Sequence, residues 1–191
     1  MAITPSIPRV MAFIDGENLV CRYQEMLAVG REPLDGVVHR KDAIVWHPNF
    51  AIPMFFEPVR ATYYTSVQGD EAKVSETARV LRETVFTHSG HGPLKPMLYP
   101  RVFKRPGNTK KTSIVDVQLV VDVLSQVYQG NVDTVLLLSG DGDFRALVEE
   151  VANRGRRIIV GAFSLGMHPE VASRADMFID LDRVFLKALL A

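Results

Sequence analysis

The stretch VDTVLLLSGDGDFRALVEE, residues 132–150, determines which fold this chain is expected to adopt. Its residues from Thr134 to Leu138 are apolar or β-branched without a polar interruption, which predicts a strand buried on both faces. From Asp143 the pattern is that of a helix, and Gly155 is the residue type that commonly ends one. A buried strand followed directly by a helix is the repeating unit of a parallel α/β sheet.

The same alternation extends along most of the chain. The predicted strands are RVMAFID (9–15), RATYYTSV (60–67), PMLYPRVFK (96–104), DTVLLLS (133–139), RRIIVGAF (156–163) and MFIDL (177–181). The predicted helices are ENLVCRYQEMLA (17–28), DEAKVSETARVLRETVF (70–86), SIVDVQLVVDVLSQVY (113–128) and DFRALVEEVANRG (143–155). Strands without a polar face need helices on both sides, so we expect an α/β fold: a three-layer α/β/α sandwich with a mainly parallel, Rossmann-like central sheet. Pro100 cannot donate a ladder hydrogen bond, so the third strand is not expected to be central.

Chain length and proline content indicate the domain organisation. A chain of 191 residues suits one domain, here 1–191, and is short for two. The proline-rich segment at about 30–58 departs from the alternation, and we interpret it as an insertion packed over the domain. It is also where a homo-oligomer or another protein partner is expected to bind. Its aromatic residues are interpreted as packing groups rather than base-stacking groups; they are Trp46, Phe50, Phe55 and Phe56.

Charge and cysteine content exclude several classes of protein. Lys and Arg total 22, as do Asp and Glu, so any nucleic-acid surface must be a local patch on a chain of net charge +0. Cys21 is the single cysteine, so an intrachain disulfide and a cysteine-rich zinc site are excluded. No apolar run approaches the roughly 18 residues of a membrane span, so a cytoplasmic protein without a membrane partner is expected.

Carboxylates follow two of the predicted strands at their carboxyl ends. Asp15 ends the first strand, and Asp141 and Asp143 follow the strand DTVLLLS. Ligands of open parallel sheets bind outside the carboxyl ends of the strands, so these acids are expected at one edge. Asp116 joins them if its helix faces the sheet, and the residues expected on that face are Val117, Val120, Val121 and Leu124.

An oxygen-only cluster suits Mg²⁺ or Mn²⁺, which prefer carboxylate and water ligands. Such a cation would also relieve the repulsion between Asp141 and Asp143, which only one glycine separates. Alternatively, SGDGDF (139–144) is a turn whose acids cap the next helix, with Asp143 as the expected cap. The independent acid Asp15, at a matching strand end, favours the metal site.

Three motifs in this order resemble those of the NYN family, a branch of the PIN-like nuclease superfamily. They are FIDGENL (13–19), KKTSIVDVQLVVDVL (110–124) and LLLSGDGDFRALVEEVANRGRRIIVGAF (136–163). The resemblance implies a compact α/β/α sandwich, in agreement with the alternation of strands and helices. It also implies a metal-dependent nuclease that acts on RNA.

The resemblance also implies roles for individual residues. The implied catalytic, metal-binding acids are Asp15, Asp116, Asp141 and Asp143. Asn18 and Ser139 are implied as polar supports for the metal or the substrate phosphate. Asp122 also fits the family pattern, but it lies about 120° around the helix from Asp116 and is therefore a secondary candidate.

A basic stretch leads into the helix that carries Asp116. Its members are Arg101, Lys104, Arg105, Lys110 and Lys111. We interpret it as a ridge beside the acids that contacts substrate phosphates, with Arg105, Lys110 and Lys111 as the substrate-binding residues, which would make binding salt-dependent. The alternative is a solvated loop.

Three functions agree with these residues. The first is a ribonuclease that hydrolyses RNA phosphodiester bonds with an acidic Mg²⁺ or Mn²⁺ cluster. The second is a Toprim-like metal-phosphoryl enzyme, which requires Glu17 rather than Asp15 to face the Asp141–Asp143 pair. The third is a non-catalytic regulatory module of the same fold that binds RNA or a protein.

Overall fold

All strands of the main sheet run parallel. The computed structural model describes residues 8–48, 50, 58–86, 97–105, 107 and 113–188. Its strands are β1 (Val10–Asp15), β2 (Val38–Arg40), β3 (Ile44–Trp46), β4 (Pro58–Val67), β5 (Leu98–Lys104), β6 (Thr134–Leu138), β7 (Arg157–Ala162) and β8 (Met177–Asp180). Its helices are α1 (Gly16–Ala28), α2 (Glu71–Glu83), α3 (Ser113–Tyr128), α4 (Arg145–Asn153), α5 (Pro169–Ser173) and α6 (Asp182–Phe185), with a 3₁₀ turn at Gly142–Phe144. The predicted α/β fold is confirmed, since helices flank a parallel sheet on both faces.

The strand order places β1 in the interior of the sheet. In the described part of the chain, six strands lie in the order β5-β4-β1-β6-β7-β8. The chain adds β4 and β5 on one side of β1, then crosses over and adds β6, β7 and β8 on the other. Ligands of such sheets bind where the direction reverses, outside the carboxyl ends of the strands. Here the reversal lies between β1 and β6, with Ile14 opposite Leu138.

The edge position of β5 explains how a proline fits within a strand. Pro100 lies opposite Tyr63 of β4, and β4 is the sheet neighbour of β5. A proline removes one ladder hydrogen bond, which an edge strand tolerates on its open side. The prediction that this strand is not central is confirmed.

The two faces of the sheet have separate hydrophobic clusters. Ile14 belongs to the cluster formed with α1, α2 and the β2–β3 hairpin. Its neighbour Phe13 belongs to the cluster formed with α3 and α4. Successive side chains of a strand point to opposite faces, so odd-numbered residues of β1 belong to the side that we call the α3 face.

The β2–β3 hairpin is part of the main core. Ile44, Val45 and Trp46 are completely buried. The Trp46 indole stacks on Phe86 with ring centroids 5.2 Å apart, and its Nε1 donates to the Phe86 carbonyl oxygen at 2.9 Å. The packing role predicted for Trp46 and Phe50 is confirmed, because both are buried. Phe55 and Phe56 lie outside the described residues.

Helix α3 packs with a face that only partly coincides with the predicted one. Val117 and Val121, which were expected to face the sheet, are more than half exposed. The fully buried positions are Val115, Leu119 and Val123. The prediction was wrong for Val117 and Val121, whereas Val120 and Leu124 are partly buried and pack against the core on this side, as expected. Because α3 carries apolar residues around most of its circumference, periodicity alone does not select the buried side. Within the described ranges, no helix, α3 included, combines the length and apolar character needed to cross a membrane.

An ion-pair clamp holds the amino ends of β1 and β6 together. The Asp133 carboxylate accepts hydrogen bonds from the backbone amide of Arg9 at 2.8 Å and from its Nε at 3.1 Å. Arg156 approaches the same carboxylate at 3.3 Å. Hydrogen bonds from the Arg9 side chain and backbone, aided by the charge of Arg156, lower the pKa of Asp133 against the opposing effect of burial.

We expect Asp133→Asn to lower the free energy of unfolding at pH 7 by at most about 1 kcal/mol, because solvent screens this partly exposed pair. A carboxyl with a lowered folded-state pKa stabilises the protein above its unfolded pKa of roughly 3.9, and the contribution is lost as the pH falls through the folded value. The difference between variant and wild type should therefore shrink below about pH 4 in urea denaturation. Asp35→Asn, in the exposed loop after α1, is the control. An equal difference at pH 3 and pH 7 would contradict this assignment.

Candidate functional site

Asp15 lies at the reversal point of the sheet and is completely buried. It ends β1 and also caps α1, since its Oδ1 accepts a hydrogen bond from the Asn18 amide at 3.1 Å. Its Oδ2 accepts a hydrogen bond from the Ser139 hydroxyl at 2.8 Å, just beyond the end of β6. A buried carboxylate is costly without such donors, and the amino end of a helix adds a favourable dipole. The side chain of Asp15 thus joins the end of β1 to the residue that follows the neighbouring strand β6.

Gly16 allows α1 to begin directly after the strand. A Cβ at this position would lie 2.2 Å from the Tyr63 ring and 2.7 Å from the Tyr64 carbonyl oxygen. Only glycine permits so close an approach of the helix start to β4. The first turn of α1, with Asn18, is therefore fixed against the edge of the sheet.

One further hydrogen bond joins the first turn of α1 to the loop after β6, and another lies within that loop. The amide of Gly140 donates to Asn18 Oδ1 at 3.2 Å. The amide of Asp141 donates to the Ser139 hydroxyl oxygen at 3.2 Å. The structure thus brings together four of the predicted site residues, namely Asp15, Asn18, Ser139 and the backbone of Asp141.

In SGDGDF the capping residue is Asp141 and not, as had been expected, Asp143. Asp141 caps the 3₁₀ turn, because its Oδ1 accepts a hydrogen bond from the Asp143 amide at 3.0 Å. The expectation that Asp143 is the cap was therefore wrong. The 3₁₀ turn separates the loop from α4, so the capping position moves two residues toward the amino terminus. Asp141 is half-buried and Asp143 is exposed to solvent.

Asp116 lies in the first turn of α3, half-buried, with its Oδ1 shielded from solvent. Since α3 connects the parallel strands β5 and β6, its amino end belongs to the carboxyl edge of the sheet. Asp15 belongs to the α3 face by alternation, so both acids share an edge and a face. Among the described residues, however, no three His, Cys, Asp or Glu side chains form a group able to hold a metal ion.

A second buried network continues this edge toward β5. The Ser66 hydroxyl, at the end of β4, donates to Glu17 Oε1, and Arg105 Nε donates to the Ser66 oxygen at 2.9 Å. Arg105 Nη2 lies 3.6 Å from Glu17 Oε1, and its side chain is only 12% exposed. Arg105, predicted to contact substrate phosphates, is thus held by Glu17 and Ser66. Ser66 was not predicted, although the polar end of TYYTSV was a signal for it.

The other basic residues have separate positions. Arg101 approaches Asp122 at 3.4 Å, and Lys104 approaches Glu71 at 4.0 Å. Lys110 and Lys111 lie outside the described residues. Their predicted contacts with phosphate remain predictions.

Asp122 is part of a different contact set from Asp15. Its Oδ2 accepts from the Tyr64 hydroxyl at 2.9 Å, and its Oδ1 accepts from Gln118 Nε2 at 2.8 Å. Burial, followed by the charge of Asp122, raises the pKa of Tyr64, so the phenol remains a proton donor. These bonds orient Asp122 toward Tyr64 of β4.

The orientation of Asp15 and Glu17 distinguishes the nuclease from the Toprim-like hypothesis. Asp15 contacts Ser139, whose hydroxyl contacts the amide of Asp141. Glu17 instead contacts Ser66 and Arg105 on the other side of β1. The condition for a Toprim-like site, Glu17 facing the Asp141–Asp143 pair, is not met by these contacts.

The donor chemistry at this edge fits Mg²⁺ or Mn²⁺ in type. The candidate ligands are carboxylate oxygens, which these hard cations prefer. Each oxygen of Asp15 accepts one of the hydrogen bonds given above. The predicted ligands among these carboxylates are Asp15, Asp116, Asp141 and Asp143.

Comparison with known proteins agrees with this architecture. The NYN domain model matches residues 9–182. The uncharacterized protein MJ0482 of Methanocaldococcus jannaschii is 30% identical over 71 residues, a stretch that covers 37% of this chain and 30% of that protein. The crystal structure of a protein of unknown function, VPA0982 from Vibrio parahaemolyticus, superposes with a TM-score of 0.63 at 22% identity. That match covers 97% of this chain and 100% of the other, and it concerns the fold alone.

We expect Ser139→Ala to lower the free energy of unfolding by roughly 1.5–3 kcal/mol, because a buried carboxylate loses a hydrogen-bond donor. The matched control is Ser164→Ala, which removes a 2.7 Å hydrogen bond to Asp182 at an exposed position, where water replaces the hydroxyl. Urea denaturation in the presence of EDTA measures both variants without a contribution from bound metal. An equal or smaller loss in Ser139→Ala would show that this hydroxyl does not stabilise Asp15.

Proposed function

Because the chain belongs to the NYN domain family, within the PIN-like nuclease superfamily, we propose that it is a metal-dependent ribonuclease. The reaction is hydrolysis of RNA phosphodiester bonds at the carboxyl edge between β1 and β6. The observation that carries the proposal is the buried Asp15–Ser139 hydrogen bond, 2.8 Å long, at the reversal point of the sheet. This is the position at which α/β sheets bind their ligands.

Four acids are proposed to hold a divalent cation, Mg²⁺ or Mn²⁺. They are Asp15, Asp116, Asp141 and Asp143. When bound, such an ion neutralises the carboxylates, activates water and stabilises the charge that develops on the phosphodiester group. The side chains differ in access: Asp15 is buried and Asp143 is exposed. Asp15 would therefore hold the ion from within the protein, and Asp143 would hold it from the solvent-exposed side.

The protein scaffold keeps these groups in position before substrate binds. Ser139 and the amide of Asn18 fix both oxygens of Asp15. The loop after β6 is braced by the amide of His168, which donates to the Gly140 carbonyl at 2.9 Å. A Cβ at Gly142 would lie 2.8 Å from the His168 ring, so this loop is closely packed. Because these polar groups are already in place, they need little rearrangement when the transition state forms.

The proposed substrate contacts are polar and basic. Asn18 and Ser139 support the acids and lie beside the phosphate that would be cleaved. Lys110 and Lys111 are proposed to contact neighbouring phosphates, and Arg105 contributes positive charge from its network with Glu17 and Ser66. Binding that depends on such contacts weakens as the salt concentration rises.

One observation favours a second candidate, a non-catalytic module that binds RNA or a protein. Among the described residues, no three metal-ligating side chains are gathered around one point. The acids would then stabilise the fold, as Asp15 does by capping α1. The two candidates differ in whether the wild-type protein cleaves RNA.

We expect the wild-type protein to cleave labelled single-stranded RNA in Mn²⁺, and Asp15→Asn to be slower by about a hundredfold or more, as when a preorganised charge-stabilising group is lost. Asparagine is also a favourable helix cap, so α1 should remain folded, which circular dichroism checks. Asp35→Asn makes the same chemical change in an exposed loop after α1 and should cleave at the wild-type rate. Addition of EDTA should stop cleavage.

Equal cleavage by wild type and Asp15→Asn would end the assignment of Asp15 and of the metal site. If the wild type does not cleave RNA and both proteins bind it equally, the non-catalytic module is the better description.

A further inference from the structure

A groove of about 460 Å³ opens on the α3 face of the sheet, and it extends from the amino ends of β1 and β4 to the level of Asp15. Helix α3 packs against β1 and β4, and the groove lies between this helix and the edge strand β5. Its size is within the usual range of ligand sites, roughly 300–1,000 Å³. The residues used below are Arg60, Tyr64, Tyr99, Arg101 and Asp122.

Tyr99 presents an aromatic ring in this groove. It lies on β5 and is 48% exposed. The Arg60 guanidinium lies 5.2 Å from the centre of the ring, and that of Arg101 lies 5.9 Å from it. Both guanidinium groups lie over the ring, and the residue remains about half exposed, so a base that stacks on Tyr99 takes the place of one guanidinium, which is then free to turn toward a phosphate.

The charge of the groove is positive. Its lining includes the three arginines Arg9, Arg60 and Arg101 but the single carboxylate Asp122. Arg9 is paired with Asp133, and Arg101 lies 3.4 Å from Asp122. Within the described part of the chain, Arg60 makes no ion pair, so its charge is available to an anion. This local excess occurs in a chain whose net charge is +0.

The register of the sheet relates the groove to the acids. Arg101 is opposite Tyr64, which is opposite Asp15, so Arg101 lies level with Asp15 two strands away. Tyr99 is level with Phe13 by the same pairing. Two strand spacings of roughly 4.8 Å and two residues of roughly 3.3 Å place the Cα of Tyr99 about 12 Å from that of Asp15. Groove and acid site are therefore neighbours on one face.

We propose that this groove binds single-stranded RNA, with a base stacked on Tyr99 and phosphates bound by Arg60 and Arg101. A flat aromatic face accepts any unpaired base, and base–aromatic stacking contributes about 1–3 kcal/mol. Arginine binds phosphate through two parallel hydrogen bonds. The choice of RNA as the ligand rests on the proposed ribonuclease function. In this proposal the groove binds the part of the RNA next to the phosphodiester bond that is cleaved. The positive charge favours this polyanion over a protein segment.

The test measures binding of a fluorescein-labelled single-stranded RNA of 12 nucleotides by fluorescence anisotropy in EDTA, so that no cleavage occurs. We expect Tyr99→Ala to weaken binding about tenfold and Tyr99→Phe, which keeps the ring, to bind like the wild type. Arg60→Ala should weaken binding and reduce the slope of log affinity against log salt by about one.

Matched controls are present in the chain. Tyr128 on α3 is also exposed and has a guanidinium, that of Arg154, 4.6 Å from its ring centre, but it does not line the groove. Tyr128→Ala should therefore bind RNA like the wild type. Arg183→Ala, at a highly exposed position on α6, is the control for Arg60→Ala.

The proposal is overturned if the wild type does not bind the RNA, or if Tyr99→Ala and Arg60→Ala bind it with wild-type affinity. It is also overturned if Tyr99→Ala and Tyr128→Ala weaken binding equally. A self-association of the protein that Tyr99→Ala abolishes, without an effect on RNA, would identify the groove as a contact between copies.

The experiments distinguish a failure of the groove proposal from a failure of the proposed ribonuclease function. Binding that depends on Tyr99, without cleavage in Mn²⁺, retains the groove and rejects the nuclease. Cleavage that depends on Asp15, with wild-type RNA affinity in Tyr99→Ala, rejects the groove alone.

Discussion

The hydrogen bond from Ser139 to Asp15 is the interaction on which the arrangement of this protein depends. It joins the ends of β1 and β6, the two strands between which the sheet reverses its order. Asp15 is completely buried, and a buried carboxylate is tolerated only when donors or cations compensate for lost water. The serine hydroxyl, the Asn18 amide and the amino end of α1 supply that compensation together. One side chain therefore ends a strand, begins a helix and fixes the neighbouring loop.

Polar groups lie along the carboxyl edge of the sheet from β5 to β6. From β5 to β6 the order is Arg105, Ser66 with Glu17, Asp15 and Ser139. Each lies at or just beyond a strand end, so neighbours are separated by about one strand spacing, roughly 4.8 Å. These residues place positive and negative charges together in a buried setting, where electrostatic interactions are stronger than in water. The proposed catalytic chemistry and the proposed RNA groove both depend on the α3 face, and α3 borders both.

The amino-acid sequence predicts most of the architecture for clear physical reasons. Apolar runs such as TVLLL require burial on both faces, and strict alternation with helices requires a parallel sheet. Asp15, Asn18 and Ser139 were identified as site residues because they flank strand ends in recognisable motifs, and the structure brings them together. The face of α3 was not predictable, since Val117 and Val121 are as apolar as the buried Val115 and Val123. The sequence also did not predict that Asp141, rather than Asp143, caps the 3₁₀ turn.

What the sequence by itself determined is the kind of fold, the edge at which the acids lie and the family, because these follow from hydrophobic pattern and ordered motifs. What only the tertiary structure decided is which side chains meet. Arg105 and Glu17 are 88 residues apart along the chain (105 − 17), yet they share Ser66 as a partner because β1, β4 and β5 are neighbours. Tyr99, Arg60 and Arg101 likewise form one surface only through the register of β4 and β5. Periodicity assigns a residue to a face of its own element, whereas strand order and register assign it its neighbours.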